Sequence, residues 1–334
     1  MNRLFLIRFL SAIAFYICIV ISNQYGVIAT TIFTMGHRSL LFFSPYLSKS
    51  FKNYDGVVSL AISAIGVFFL LLFKWNVLGV IFIAFGLSTH GFIIKSIAAD
   101  SAENSGKNKI AINFCNIGAG LILLLITMTI LMMATFISYV SFSSIKHRKE
   151  VAPLTFNAIK ENKSLYFIWL CFGMAIGIRV FGLYIIMPEY LINTLGELPA
   201  WYGLTLMLYG GFVILTQYYV IIRRGKVSLY ISMLALAISC VIMSIPSFFK
   251  IETLSGALIW VTCLALEEVF TPYIDCHASK TNTLLVKELA IGLGGALCAL
   301  LTHTFFCIEF LGKTAILCLV IGMTVLYYSK HRTV

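Results

Sequence analysis

Charge is what this sequence has least of: 11% of its 334 residues are Asp, Glu, Lys or Arg, 13 are acidic, and 60% are hydrophobic. So few charges cannot cover a water-facing globule of this length, which excludes a soluble protein and leaves an integral membrane protein. Paired cysteines are missing as well. The nine cysteines are scattered, mostly inside apolar runs and with no CxxC pair, so they read as small core hydrophobes rather than metal ligands or disulfides. The N-terminus has no convincing A-x-A cleavage site, and its apolar stretch exceeds a signal core, so residues 4–21 are expected to be a retained first span.

What charge there is leans basic, with a formal net charge of +11. In a soluble chain that would point to nucleic acid. Here the basic residues sit in short turns between apolar runs, where an excess of Lys and Arg marks the cytoplasmic side, and no nucleic-acid partner is expected. Sorting the runs by that rule gives spans over 4–21, 26–47, 56–73 and 77–97. The 35-residue run Ile110–Ser144 follows, too long for one span and short for two. Two short spans joined near Thr127–Thr129 keep Lys146, Arg148, Lys149, Lys160 and Lys163 inside, so two are expected. Six more spans follow, over 165–187, 201–222, 228–248, 254–275, 284–306 and 312–328. On this arrangement Lys74, Lys250 and Lys313 lie outside, Arg38 and Arg179 lie within the membrane, and the remaining Lys and Arg lie in or near cytoplasmic turns.

The expected fold is therefore all-α and polytopic: about twelve transmembrane helices in two six-helix halves. Residues 1–145 form an N-terminal bundle, 146–163 a cytoplasmic linker and 164–334 a C-terminal bundle. Both termini are expected to be cytoplasmic, in an inner or plasma membrane.

Few ionisable groups lie at depth, and each is a candidate because charge in hydrocarbon is costly. Arg38, next to His37, falls within the span 26–47, His90 in the next but one, Arg179 deep in 165–187, and His303 in 284–306. Arg179, Arg38 and His90 are the expected substrate or ion-pair residues. Glu267 and Glu268 are adjacent in an apolar run, and two neighbouring carboxylates cannot both stay ionised and unpaired there. At least one is expected to bind and release a proton, with Arg179 as the natural partner. On a helix the two point about 100° apart, so one is expected to face the pathway. The glycines of Gly292-Leu293-Gly294-Gly295 and Gly118-Ala119-Gly120 are expected to let helices approach closely.

The stretch Met187-Pro188-Glu189-Tyr190-Leu191 resembles the "lPxYL" turn that closes the seventh helix of major facilitator superfamily transporters. A short outer loop with Gly196 and Pro199 follows, then a glycine-bearing helix, then Arg223-Arg224-Gly225-Lys226 in place of the family's basic "RRxGR" loop. Val220-Ile221-Ile222 stand where the family usually has an Asp. Leu266-Glu267-Glu268-Val269-Phe270-Thr271-Pro272 resembles the "GExxxxP" run of its drug- and siderophore-exporting members, with Leu266 in place of the Gly. The resemblance implies a secondary transporter of a small organic molecule, an exporter or antiporter coupled to protons. It implies Glu267 and Glu268 as proton carriers and Arg223, Arg224, Gly225 and Lys226 as a gating loop. A monomer in the lipid bilayer is expected, with no cofactor, no metal and no enzymatic role.

Two other readings stand beside it. One is a degenerate member serving as a partner or scaffold. The other is a membrane acyltransferase, which Leu6–Ala12 and Leu41–Ser44 resemble, although Ser22-Asn23 stands where those enzymes need a His.

Overall fold

The computed structural model describes residues 5, 8–9, 11–12, 15, 32–33, 37–46, 55–73, 77–125, 154–223, 227–302 and 308–331. Among them all regular structure is helical. Residues 37–46 are helical, with a 3-10 turn at Leu40–Phe43. The main helices that follow are α1 (Asp55–Phe73), α2 (Val77–Ala98), α3 (Ala102–Leu125), α4 (Phe156–Glu161), α5 (Lys163–Phe181) and α6 (Met187–Leu195). After them come α7 (Tyr202–Arg223), α8 (Leu229–Met243), α9 (Pro246–Phe249), α10 (Leu254–Leu266), α11 (Thr271–Lys280), α12 (Leu284–Thr302) and α13 (Ile308–His331).

Six runs among the described residues are long and apolar enough to cross a membrane: Val77–Ala98, Lys163–Leu195, Tyr202–Ile221, Leu254–Lys280, Leu284–Leu301 and Ile308–Ser329. Their outward faces carry bare apolar side chains, among them Leu215, Leu317 and Tyr328, each more than half exposed. Lipid, not water, is the solvent such faces require. The chain is a multi-pass membrane protein.

The centre of the bundle is the run Lys163–Leu195. α5 packs along α12 on one side and α13 on the other, burying Trp169, Phe172 and Phe181. Gly177 makes the first contact close: it faces the backbone carbonyl of Ile291 on α12, where a Cβ would collide. At the next residue of α12, Gly292 faces Arg38, so the helical segment 37–46 presses against α12 in the same way. The expected close approach at Gly118 is not found, since a Cβ there would meet nothing within 4 Å. α3 runs along α7, which also packs on α10. The first part of the chain thus meets the second along α3–α7 and along the 37–46 helix and α12.

Several element boundaries differ from those the sequence suggests. The helix through Arg179 does not end at Pro188 but continues to Leu195, where Gly196 takes the left-handed cap position with φ +86°. A π-helical turn at Gly182–Ile186 precedes the proline and widens the helix where a missing N–H and a ring clash would otherwise break it. α3 begins at Ala102, not at Ile110, so the polar stretch expected as a cytoplasmic exit is already helix. Its Glu103 and Lys107, four residues apart, pair at 2.5 Å. The expected turn at Thr127–Thr129 and the span after it lie outside the described residues, as do His303 and Arg224, Gly225 and Lys226. Arg223 closes α7.

Candidate functional site

The site begins with a broken helix. α10 stops at Leu266, a 3-10 turn occupies Glu267–Val269, and α11 starts at Thr271 with Pro272 in its first turn. Pro272 cannot donate to the carbonyl four residues back, that of Glu268. A buried side chain from α7 takes over: Gln217 Nε2 donates to the Glu268 carbonyl oxygen. The break is therefore held open by a designated partner, and both glutamates are kept inside the bundle, 6% and 3% exposed.

Arg179 of α5, 2% exposed, lies across both of them. Its Nη2 donates to Glu267 Oε2 and, at 3.4 Å, to the Leu264 carbonyl, while Nη1 donates to Glu268 Oε1 and to Tyr209 Oη at 2.8 Å each. The expected pairing of Arg179 with a glutamate is present, and it involves both. The 3-10 turn and the fork of the guanidinium let one cation reach both neighbours.

The two glutamates are unequal. Glu268 Oε1 also accepts from Tyr209 Oη at 2.9 Å, and its Oε2 accepts from Thr271 Oγ1 at 2.8 Å and from Lys109 Nζ of α3 at 2.9 Å. Protonating Glu268 would disturb four contacts made to the carboxylate. Glu267 has its one side-chain partner in Arg179, so a proton there disturbs far less.

A second cluster lies toward the other end of α11. Asp275, fully buried, accepts from Lys287 Nζ of α12 and from Ser105 Oγ of α3 at 3.2 Å, and it lies 3.3 Å from Lys95 Nζ of α2. Glu288, next to Lys287, lies 2.7 Å from Lys95 Nζ and 3.0 Å from Lys287 Nζ, and it accepts from Arg38 Nη1. Sequence reasoning named Arg38 here and missed Asp275 and Glu288, as well as Lys95, Lys109 and Lys287, which it had assigned to cytoplasmic turns. The structure corrects this: Lys95 and Lys287 are buried within their helices, 9% and 1% exposed. The available signal was their apolar flanks, Phe92-Ile93-Ile94 before Lys95 and Leu284-Leu285-Val286 before Lys287.

Among the described residues of both clusters, the ion pairs joining the first part of the chain to the second share one polarity. Arg38, Lys95 and Lys109 supply the cations, and Glu288, Asp275 and Glu268 supply the carboxylates. Between them is a cavity of about 110 Å³ lined by Arg38, Lys95, Lys109, Thr271, Lys287 and Glu288, among others. His37 also lines it, with its ring 4.3 Å from that of Phe15. His90 is buried on α2 and is not among the lining residues.

No family model and no curated protein matches the chain. Solved structures do. The human organic anion transporter MFSD10 (TETRAN) is similar with a TM-score of 0.65 and 10% identity, over 96% of this chain and 98% of that one. A bacterial homologue of the iron transporter ferroportin, in an outward-facing state, is similar with a TM-score of 0.61 and 13% identity over 98% and 99%. The E. coli fucose:proton symporter FucP is similar with a TM-score of 0.66 and 14% identity over 98% and 97%. The likeness spans nearly the whole of each chain at identities too low to carry function, and it is one of fold: this multi-pass membrane protein shares the fold of these solved transporters.

Proposed function

We propose that the chain is a secondary transporter that moves a small organic molecule by alternating access, coupled to protons. Residues 1–145 and 164–334 are the two six-helix bundles that rock about the cavity, and 146–163 link them on the cytoplasmic side. The observation that carries this reading is the polarity of the ion pairs between the two parts of the chain. Alternating access requires the bundles to separate on each side in turn, so these pairs are made and broken in every cycle. A proton on Glu267 turns Arg179 wholly to Glu268 and so loosens the Glu268–Lys109 pair between the bundles, which gives protonation a differential affinity for the two arrangements.

Glu267 is the carrier in this scheme and Glu268 the fixed point. Glu267 sits at a helix break, can exchange its one guanidinium contact for a proton, and leaves Arg179 held by Glu268 and Tyr209. Export across an inner membrane by antiport follows from the likeness of Leu266–Pro272 to the run carried by exporting transporters, with the basic turn at Arg223–Lys226 as the gate. The similar structures are named for an organic anion, for iron and for fucose with a proton, so they support solute transport without agreeing on cargo.

The test is flux. The purified full chain, reconstituted in vesicles, is offered a panel of radiolabelled small organic acids, sugars and amines with and without a proton gradient. The expected result is accumulation of at least one solute that collapses with a protonophore. Folded protein that moves none of the panel would overturn the reading in favour of a partner or scaffold role.

A further inference from the structure

The transporter reading leaves the cargo open, and the charge around the cavity narrows it. Resting on that reading, we propose that the cavity binds a small organic anion through Arg38, Lys95 and Lys109, which release a carboxylate of the second bundle to take it.

Five cations line the cavity, Arg8, Arg38, Lys95, Lys109 and Lys287, and among the described lining residues Glu288 is the one carboxylate. Asp275 and Glu268 stand behind the wall and balance part of this charge. With Arg8 set aside and the Arg179 cluster added, five cations, Arg38, Lys95, Lys109, Lys287 and Arg179, face four carboxylates, Glu267, Glu268, Asp275 and Glu288, among the described residues. In a low-dielectric interior such a surplus is unfavourable, and a bound anion removes it, whereas a neutral solute leaves it and a cation adds to it. Lys95 and Lys109 reach the cavity from α2 and α3, whereas Glu288 and Glu268 stand on α12 and in the turn before α11, so each lysine can turn from a protein carboxylate to a ligand carboxylate of the same geometry.

The lining also includes the aromatic side chains of Phe15, Phe92 and Phe181. A carboxylate or phosphate head with a short apolar body matches both kinds of lining. The size agrees: about 110 Å³ is well under the roughly 300 Å³ at which pockets for drug-sized ligands begin. Siderophores and large drugs do not fit this arrangement.

The experiment measures binding in detergent, with no gradient, so that failure of proton coupling does not affect it. Acetate, benzoate and succinate are compared with acetamide, benzamide and succinamide, and with benzylamine, by thermal shift and calorimetry on the full chain. At least one acid is expected to bind and stabilise the protein while its amide does not. Arg38→Gln, which removes a cation, should weaken that acid by about tenfold to a hundredfold, the scale of a charged hydrogen bond. Glu288→Gln, which removes the competing carboxylate, should tighten it. A purely structural network would weaken with both, and that result overturns the proposal, as does a set of acids that bind no better than their amides. Should Glu288→Gln fail to fold, Arg38→Lys against Arg38→Gln decides: retention in the first and loss in the second supports the anion site, and equal loss overturns it. Proton-driven accumulation of solutes regardless of charge would remove this site and leave the transporter reading standing.

Discussion

The Arg179 cluster and the Lys287 cluster are built from the same kinds of side chain, and they differ in which parts of the chain they join. Around Arg179, the guanidinium, both glutamates, Tyr209, Gln217 and Thr271 all belong to the second part, and Lys109 is the one bridging cation. Around Lys287, the carboxylates of Asp275 and Glu288 are shared with Arg38, Lys95 and Ser105 of the first part. One cluster is mainly internal and keeps a broken helix in shape. The other is a clasp between the first part of the chain and the second. A change in the first cluster reaches that contact through Lys109, whereas a change in the second acts on it directly.

Removing Arg179 should have the largest effect. Arg179→Ala leaves Glu267 and Glu268 buried without their shared cation, and breaking a buried pair by removing one partner costs about 3–5 kcal/mol. Folded protein recovered from membranes should fall steeply, and adding Glu267→Gln should partly restore it by removing one of the stranded charges. Normal recovery and normal flux in Arg179→Ala would show that the cluster neither holds the helix break nor serves transport.

The clasp should respond less, because each of its members has more than one partner. Lys95→Asp and Asp275→Lys are each expected to lower thermal stability in detergent by about 2–4 kcal/mol. The double variant, with the charges exchanged, should recover part of that loss. If the double variant loses the sum of the two, Lys95 and Asp275 do not act on each other and the clasp is held by Glu288 alone.

The same contrast separates what was legible in the sequence from what was not. Arg179, Glu267 and Glu268 interrupt long apolar runs far from any turn, so burial and mutual pairing follow from cost alone. Pro272, four residues after Glu268, gives away the helix break as well, although the Gln217 that caps it could not be found without the packing of α7 on α10. Lys95, Lys109, Asp275, Lys287 and Glu288 lie within a few turns of helix ends. At that depth a charge can snorkel to water or turn inward, and counting basic residues toward the cytoplasm assigns the three lysines to the surface and says nothing of Asp275 and Glu288. The face they occupy is set by which helices pack beside them, and sequence distance from a turn does not contain that. α3 shows the same limit: the Glu103–Lys107 spacing signals helix, but the polarity of residues 100–109 reads as a loop.

Whether Glu267 and Glu268 have the different roles their contacts assign is best tested by uphill against downhill flux in vesicles. Glu267→Gln and Glu268→Gln are compared on the solute that the wild-type chain accumulates. Glu267→Gln should equilibrate the solute down its gradient at a rate near wild type and fail to accumulate it when a proton gradient is imposed. Glu268→Gln, which keeps one acceptor oxygen for four donors and no charge for Arg179 and Lys109, should lose both activities along with stability. Accumulation by Glu267→Gln at the wild-type level, with the same dependence on the proton gradient, would contradict the account.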